Sequence, residues 1–355
     1  MSEVPLEYVD NALKVFYQCD LVKNDSSFEQ QARCVLSTVV SFWCGYILPI
    51  FGFITVITNL YIGFYAILRA RKVPRQIIYI SGICLSSAIA NIMFVWLWQF
   101  PVRGLPFVSH GTIFFSILNI SPTACRLQRY LYAFSATMMC NMHVCASLDR
   151  CLLVYIPTKM KRLPNLYGWY IHIGVLLLSG VMMIPFIMGV DWRLVGGRIL
   201  CWVDLSDQYV QGYHTLFSNL GLIQTIFLLV IDLSFLLKVR QQLRKHSLTK
   251  LNSTDRKHIR RSVLLFASSI SFSIMALCQA VFYSMARFSS TAVGQTGVDY
   301  DIGDFFWYLN SVRELLDIYI YFKCFKLLRD SLLCTPRRLS KGSLSRSDQS
   351  RISGS

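Results

Sequence analysis

Two groups of ionisable residues stand inside apolar stretches of the chain. Asp149 and Arg150 are adjacent near the end of one long apolar run. Arg313, Glu314 and Asp317 stand within another. Charged side chains at such positions are costly in lipid and indicate a functional site. Arg313 and Asp317 are four residues apart, so on a helix they share a face and can form an ion pair. The two charges can then partly neutralise each other in a functional site, with a purely structural pair as the alternative.

The chain carries no recognisable residue set for catalysis or metal binding. No nucleophile stands beside a general base, and no CxxC pair or His/Cys cluster is present. We therefore expect neither an enzyme nor a cofactor or metal site.

Three further polar residues lie within apolar runs. Asn59 and Asn91 carry amides that are costly to bury unless they bond to another helix, so both are candidates for a polar network. Tyr132 follows Cys125 by about two helical turns. This is the depth at which the floor of a ligand pocket would lie.

The elements that position these residues are predicted to be seven membrane helices. Each apolar segment has about 20 residues or more, enough to cross a bilayer as a helix. At about 1.5 Å per residue, the third covers roughly 36 Å between Cys125 and Asp149, more than the ~30 Å hydrocarbon core. We predict an all-α membrane protein, a seven-transmembrane helix bundle with a short amphipathic eighth helix. Helices 1 to 7 are predicted over 39–68, 76–100, 125–156, 168–190, 213–238, 261–286 and 303–322.

The distribution of Lys and Arg predicts the orientation of the bundle. Of the 35 basic residues, 25 fall on one side, in the connections after helices 1, 3 and 5 and after helix 7. Positive charge marks the cytoplasmic side. We therefore expect a multi-pass protein of the plasma membrane with its N-terminus outside and its C-terminus inside. The net charge of +16 then requires no nucleic acid, and it favours contact with anionic membrane lipid.

This topology divides the chain into four parts. Residues 1–38 form an extracellular segment, 39–322 the bundle, 323–334 an amphipathic helix 8 on the inner leaflet, and 335–355 a disordered cytoplasmic tail. Three candidate modification sites follow. They are Asn24 in a glycosylation sequon, Cys334 for palmitoylation and Ser340, after two arginines, for phosphorylation.

Four cysteines fall on the outer side, where disulfides persist. They are Cys19, Cys34, Cys125 and Cys201, and they allow three pairings. We favour Cys125–Cys201 with Cys19–Cys34, because the first bridge would tie the loop after helix 4 over the outer end of helix 3 and limit its conformations.

Taken together, these residues resemble the rhodopsin-like family of G-protein-coupled receptors over residues 39–334. That family opens helix 3 on a cysteine, closes it on an Asp/Glu-Arg-Tyr triplet and places a proline in the next loop. Here these are Cys125, Asp149-Arg150-Cys151 and Pro157. The helix-1 asparagine is Asn59. The sequence from Asp317 to Tyr321 resembles the helix-7 Asn/Asp-Pro-x-x-Tyr motif with its proline lost.

The chain departs from the family in several helices. Asn91 stands where the family has a helix-2 aspartate, while helix 7 supplies Asp317, an arrangement similar to that of gonadotropin-releasing hormone receptors. This arrangement keeps one carboxylate among the buried polar residues of helices 2 and 7, but it argues against sodium binding there. The helix-5 proline and the helix-6 Cys-Trp-x-Pro motif are absent, which argues against activation through a proline-kinked helix 6.

The resemblance implies signalling by a ligand-driven population shift rather than by chemistry. Asp149 would hold Arg150 in the resting state, and Arg150 would be released as helix 6 swings out and opens a cleft for a heterotrimeric G protein. Arrestin and a receptor kinase are further implied partners. The buried polar relay would consist of Asn59, Asn91, Asp317 and Tyr321.

For the ligand, the resemblance gives mostly exclusions. Tyr132 occupies the position of the aspartate counter-ion of amine receptors, and helix 7 has no lysine for a retinal Schiff base. A long loop before helix 3 and a set of outer acids favour a neuropeptide with basic residues. The alternatives are an orphan or chemosensory receptor for a small molecule and, in another class, a transporter or channel, although no internal repeat or interrupted helix pair is seen. The outer acids are Asp191, Asp204, Asp207, Asp299, Asp301 and Asp304.

Overall fold

A computed structural model of the chain describes residues 14–24, 27–69, 73–113, 115–195, 198–203, 208–217, 221–245, 253–288, 293–325 and 328. Helices make up most of this part of the chain and follow the predicted segments in order. The predicted all-α architecture is confirmed.

Helices 1 and 2 are longer than predicted, and each contains a π-helical stretch. Helix 1 already begins at Phe28, and helix 2 continues past Pro101, where the sequence predicts an end or a kink. The two π stretches contact each other so closely that a Cβ on Gly104 would lie 2.5 Å from the carbonyl oxygen of Cys44. Helix 1 consists of Phe28–Phe42, the π stretch Trp43–Ile47 and Leu48–Leu68. Helix 2 consists of Arg75–Asn91, the π stretch Ile92–Gly104 and Leu105–Val108.

Helix 3, Pro122–Tyr155, is the central element of the bundle. The hydroxyl of Ser121 accepts a hydrogen bond from the backbone N–H of Ala124 at 3.1 Å, and Pro122 occupies the first turn, where its missing N–H costs nothing. Helix 3 contacts helices 2, 4, 5 and 6. Helix 3 therefore lies beside most of the other helices.

The remaining helices complete the bundle. Helix 4 is Leu166–Met182, followed by a short turn of helix Ile184–Met188. Helix 5 comprises Gln208–Phe217 and Leu222–Lys245, helix 6 is Ser253–Phe288, and helix 7 is Val293–Cys324. Shorter helices are Lys14–Asn24 before helix 1, the 3-10 turn Ile117–Asn119 and Pro157–Arg162.

A two-stranded β-hairpin follows helix 4. Strand β1, Val190–Val195, pairs antiparallel with β2, Arg198–Val203, and places Trp192 opposite Cys201. The Trp192 indole N–H donates to the carbonyl of Leu118 at 3.3 Å, which fixes the hairpin beside the start of helix 3. We call this end of the bundle the hairpin end and the opposite one the Arg150 end.

Hydropathy divides the helices into two groups. In the part of the chain that the structure describes, four helices are both long and apolar enough to cross a membrane: Phe28–Leu68, Arg75–Val108, Leu222–Gln241 and Arg261–Ala286. Leu166–Met182 is apolar but shorter. Helices 3 and 7 fall outside this set because each buries polar and ionisable side chains in the bundle interior, where other helices satisfy them.

Candidate functional site

The carboxylate of Asp149 contacts an arginine of helix 2. Its Oδ1 lies 2.6 Å from Nε of Arg75 at the start of helix 2, and only 11% of the Arg75 side chain and 4% of the Asp149 side chain are exposed. Arg75 Nη2 also donates to the carbonyl of Met160 at 3.5 Å. The pair that the sequence predicts, Asp149 with Arg150, is not formed. The reason is geometric, because Asp149 points to helix 2 while Arg150 points into the bundle.

The guanidinium of Arg150 lies inside the bundle and bonds to its own helix. Its Nε donates to the carbonyl of Ala146 at 3.0 Å and its Nη2 donates to the Ser147 hydroxyl at 2.8 Å. The residue is 5% exposed. Among the residues that the structure describes, Nη1 has no hydrogen-bond partner.

A small cavity lies beside Arg150. Its volume is about 20 Å³, room for a water molecule. Helices 2, 3, 6 and 7 all contribute to its wall, which includes Tyr79, His143, Leu265, Ser268 and Tyr321. Two residues with predicted roles, Arg150 and Tyr321, thus line one cavity.

The two predicted asparagines belong to one hydrogen-bonded cluster. Asn59 donates to the Ser87 hydroxyl at 3.1 Å, and Asn91 donates to the same hydroxyl at 3.4 Å. The second N–H of Asn91 reaches Oε2 of Glu314 at 2.7 Å, while its carbonyl oxygen accepts from Ser311 at 3.2 Å. The carboxylate that meets Asn91 is therefore that of Glu314, whereas the sequence suggested Asp317.

Asp317 forms an ion pair with Arg313, one turn earlier in helix 7. Arg313 Nε also donates to Asn310 Oδ1 at 2.8 Å, and Nη1 donates to the carbonyl of Ser268 in helix 6 at 3.4 Å. The guanidinium lies 5.1 Å from the ring centroid of Phe272. The predicted i,i+4 pair is thus present and ties helix 7 to helix 6.

Sequence reasoning missed Ser87 and Ser311 and left the role of Glu314 open. The signal for Glu314 was its charge inside an apolar run. Nothing in the sequence singles out the two serines, because serine is common in helices and inexpensive to bury when it bonds to its own backbone.

Tyr132 lies in an aromatic cluster between helices 2, 3 and 7. Its ring stacks on Phe94 at a centroid distance of 5.3 Å and meets Trp307 edge-on at 5.6 Å. Trp98 lies 6.1 Å away, and Tyr132 is 3% exposed. The predicted depth of Tyr132 matches this buried position, and its role in ligand binding stays a prediction.

A second group of charged residues is buried near the hairpin end. Arg103 Nη1 lies 3.1 Å from Asp301 and 3.3 Å from Asp304. Asp304 also accepts hydrogen bonds from Tyr283 at 2.5 Å and from Gln99 at 3.4 Å. The group joins helix 2, whose π stretch carries Arg103 and Gln99, to helices 6 and 7.

This group changes the interpretation of the outer acids. Asp299, Asp301 and Asp304 are about 95% buried, and two of them already face Arg103. These three acids therefore no longer support a ligand with basic residues, because helix 7 extends through them and buries their side chains in the bundle. The side chains of Asp191, Asp204 and Asp207 lie outside the described part of the chain.

Both favoured disulfides are present. Cys125 and Cys201 are bridged with their Cα atoms 5.6 Å apart, and Cys19 and Cys34 with theirs 4.7 Å apart. The first ties β2 to the start of helix 3, where Met183 and Val190 pack around it. The second ties the short N-terminal helix to helix 1.

The predicted modification sites are only partly described. Asn24 is exposed at the last position of the N-terminal helix. Cys334, Ser340, the tail and most of the predicted helix 8 lie outside the described residues.

A seven-helix membrane bundle whose third helix is bridged to a loop at one end and carries a buried arginine at the other defines a class of transmembrane receptors. A family model described as 7 transmembrane receptor (rhodopsin family) matches residues 85–314, more than half of the chain. The chain belongs to this family, and the predicted membership is confirmed. It is a multi-pass membrane protein of a family of receptors, not of enzymes. No curated protein matches the chain.

Proposed function

We propose that this chain is a cell-surface receptor that binds an extracellular ligand at the hairpin end and activates a heterotrimeric G protein at the Arg150 end. The single observation that carries the proposal is the arrangement of helix 3. Its first turn is bridged to the hairpin, while Arg150, near its last turn, lies beside a cavity to which helices 6 and 7 also contribute. A ligand that favours a more open arrangement would shift the population towards it.

The polar clusters would couple the two ends. The first cluster joins helices 1, 2 and 7 through Asn59, Asn91 and Glu314, and the second joins helices 6 and 7 through Arg313 and Asp317. Tyr321 then borders the Arg150 cavity. We assign the predicted relay to these residues, with Glu314 added.

We further propose the topology that the positive charges favour, with the N-terminus extracellular and the C-terminus cytoplasmic in the plasma membrane. In this arrangement Asn24 is available for glycosylation. The basic segment after helix 7 lies on the inner leaflet with Cys334 as a palmitoylation site. The tail with Ser340 is then the contact for a receptor kinase and arrestin.

A peptide is the ligand class that we favour. Tyr132 lies buried within an aromatic cluster, and a peptide could act on the hairpin and the helix ends without reaching the depth of Tyr132. The attraction for basic residues, however, cannot come from Asp301 and Asp304, whose charges face Arg103. A small molecule is the second candidate, and it would need the aromatic cluster to open.

The test is G-protein activation by the full chain in cells, screened with a peptide library and then with small molecules. Arg150→Ala should abolish activation at an unchanged surface level, because the variant lacks the group that we place at the G-protein interface. Arg162→Ala is the matched control, since Arg162 is an exposed arginine at the same end. Ligand-dependent current or uptake that survives Arg150→Ala would instead support a channel or transporter.

A further inference from the structure

Among the described residues at the Arg150 end, each buried acid except one forms an ion pair with an arginine. Asp149 pairs with Arg75 and Asp317 pairs with Arg313. The remaining acid is Asp232 of helix 5, which is 1% exposed. Arg150 likewise forms no ion pair with either of the partnered acids among the residues described. A buried cation and a buried anion are therefore left over on neighbouring helices.

A chain of hydrogen bonds connects these two groups. Arg150 Nη2 donates to the Ser147 hydroxyl at 2.8 Å, the Ser147 and Ser269 hydroxyls are 2.8 Å apart, and Ser269 donates to Asp232 Oδ2 at 2.7 Å. Ser147 is 1% exposed and so is Ser269. The chain passes from helix 3 through helix 6 to helix 5.

The direction of each bond in this chain is determined by proton count. A serine hydroxyl has one proton to donate. Ser269 uses its proton on Asp232, so between the two serines Ser147 must be the donor. Ser147 then accepts from Arg150. Every bond runs from the cation towards the anion, the polarity that the two end charges stabilise.

We propose that Asp232 is the positioning residue of Arg150, and that it holds the arginine in the resting state through the Ser147–Ser269 relay. This inference rests on the proposed role of Arg150 in G-protein coupling, and it assigns the restraint that the sequence suggested for Asp149 to a residue of helix 5. Because Ser269 belongs to helix 6, any outward movement of that helix breaks the relay at its middle and frees Arg150.

The relay supplies a link between helix 6 and Arg150 that needs no charged residue on helix 6. It also explains why Asp232 can be buried in a segment that faces lipid on its other side. Ser269 donates a hydrogen bond to the buried carboxylate, and Ser147 in turn supports Ser269.

The experiment uses the full chain in lipid nanodiscs with spin labels on cysteines introduced at Lys159 and Arg261, both exposed at the Arg150 end. Labelled protein without these cysteines gives the background from the native thiols. Asp232→Asn removes the charge but still accepts a bond from Ser269, and Ser269→Ala breaks the relay. We expect both variants to shift the label distances towards longer values and to raise basal nucleotide exchange on purified G-protein heterotrimers several-fold.

Two further variants separate this effect from general destabilisation. Ser273→Ala is the matched control, because the Ser273 hydroxyl bonds to the Ser269 carbonyl of its own helix at 3.1 Å and takes no part in the relay. It should behave as the wild type. Ser269→Thr retains the hydroxyl and should restore the wild-type distances, which a merely unstable helix 6 would not do.

The label distances are measured without G protein, so the two proposals can fail separately. If Asp232→Asn and Ser269→Ala give the wild-type distance distribution, the relay is overturned. If both variants move helix 6 but no receptor variant activates any heterotrimer, the relay stands and the proposed function fails.

Discussion

Arg313 and Asp317 are oppositely charged residues that helix 7 buries in the bundle. Both are about 95% buried, and Arg313 has polar partners besides Asp317. Burying two charges costs several kcal/mol per ion, so such a pair contributes little net stability while its disruption is expensive. The role of this pair is therefore to fix how helix 7 lies against helix 6 rather than to add stability.

Removing one partner of this pair should be far worse than removing both. Asp317→Leu leaves the guanidinium without its counter-ion and should destabilise the receptor by about 3–5 kcal/mol, whereas Arg313→Met with Asp317→Leu should recover most of this loss. Thermal unfolding of the purified variants in detergent measures the difference. A double variant no more stable than Asp317→Leu would contradict this account.

Removal of Glu314 should likewise be costly, because it leaves a buried hydrogen-bonding group without its partner. Glu314→Leu would leave one N–H of the Asn91 amide without an acceptor in the bundle, at a cost of about 1–3 kcal/mol, while the other N–H keeps the Ser87 hydroxyl. Glu314→Gln keeps the shape of the side chain and can still accept the hydrogen bond from Asn91, so this variant should lose less stability. The two variants can be ranked by the temperature at which the receptor unfolds. An equal loss in both would mean that the charge of Glu314, rather than its bond to Asn91, matters.

Among the elements, the hairpin depends most on a single covalent link. The Cys125–Cys201 bridge closes a separation of 76 residues and lies in a buried apolar cluster, whereas Cys19–Cys34 closes 15 residues and ties a short peripheral helix to helix 1. The entropic stabilisation rises with loop length, from about 3 kcal/mol to more than 4 kcal/mol. Location and loop length thus both make the first bridge the important one.

Removal of each bridge should therefore have a different result. Replacing Cys125 and Cys201 together by alanine should greatly reduce the receptor at the cell surface, because the hairpin loses its link to helix 3. Replacing Cys19 and Cys34 together by alanine should leave most of the receptor at the cell surface. Flow cytometry with an N-terminal epitope tag compares the two. Equal surface levels would show that the hairpin is held by its packing alone.

For the whole molecule, the orientation in the membrane is the property on which both proposals depend. If the N-terminus is outside, the sequon at Asn24 should carry a glycan, and Asn24→Gln should abolish the mobility shift produced by a glycosidase. Asn252 stands in another sequon, between helices 5 and 6, and Asn252→Gln should retain the shift. If only Asn252→Gln lost the mobility shift, the connection between helices 5 and 6 would lie outside the cell, and the topology would be the reverse of the one proposed.

The positions of the helices follow from the sequence because membrane insertion depends on the hydropathy of each segment. The apolar runs gave all seven helices in order, and the charge of Glu314 marked it within one of them. The ends of the helices could be predicted less well from the sequence. Helix 2 passes through Pro101 because its π stretch and the contact with helix 1 compensate there, and neither feature has a sequence signal.

The sequence by itself determined the class of fold, the family resemblance, the polar residues within apolar segments and the candidate disulfides. All of these are properties of short segments or of their spacing. Only the tertiary structure decided which polar groups of different helices meet. Asp149 meets Arg75, Asn91 meets Glu314, and a serine relay joins Arg150 to Asp232. Each of these choices depends on the rotation of one helix against another. One residue turns a helix by about 100°, so a partner is gained or lost through packing that no single segment encodes.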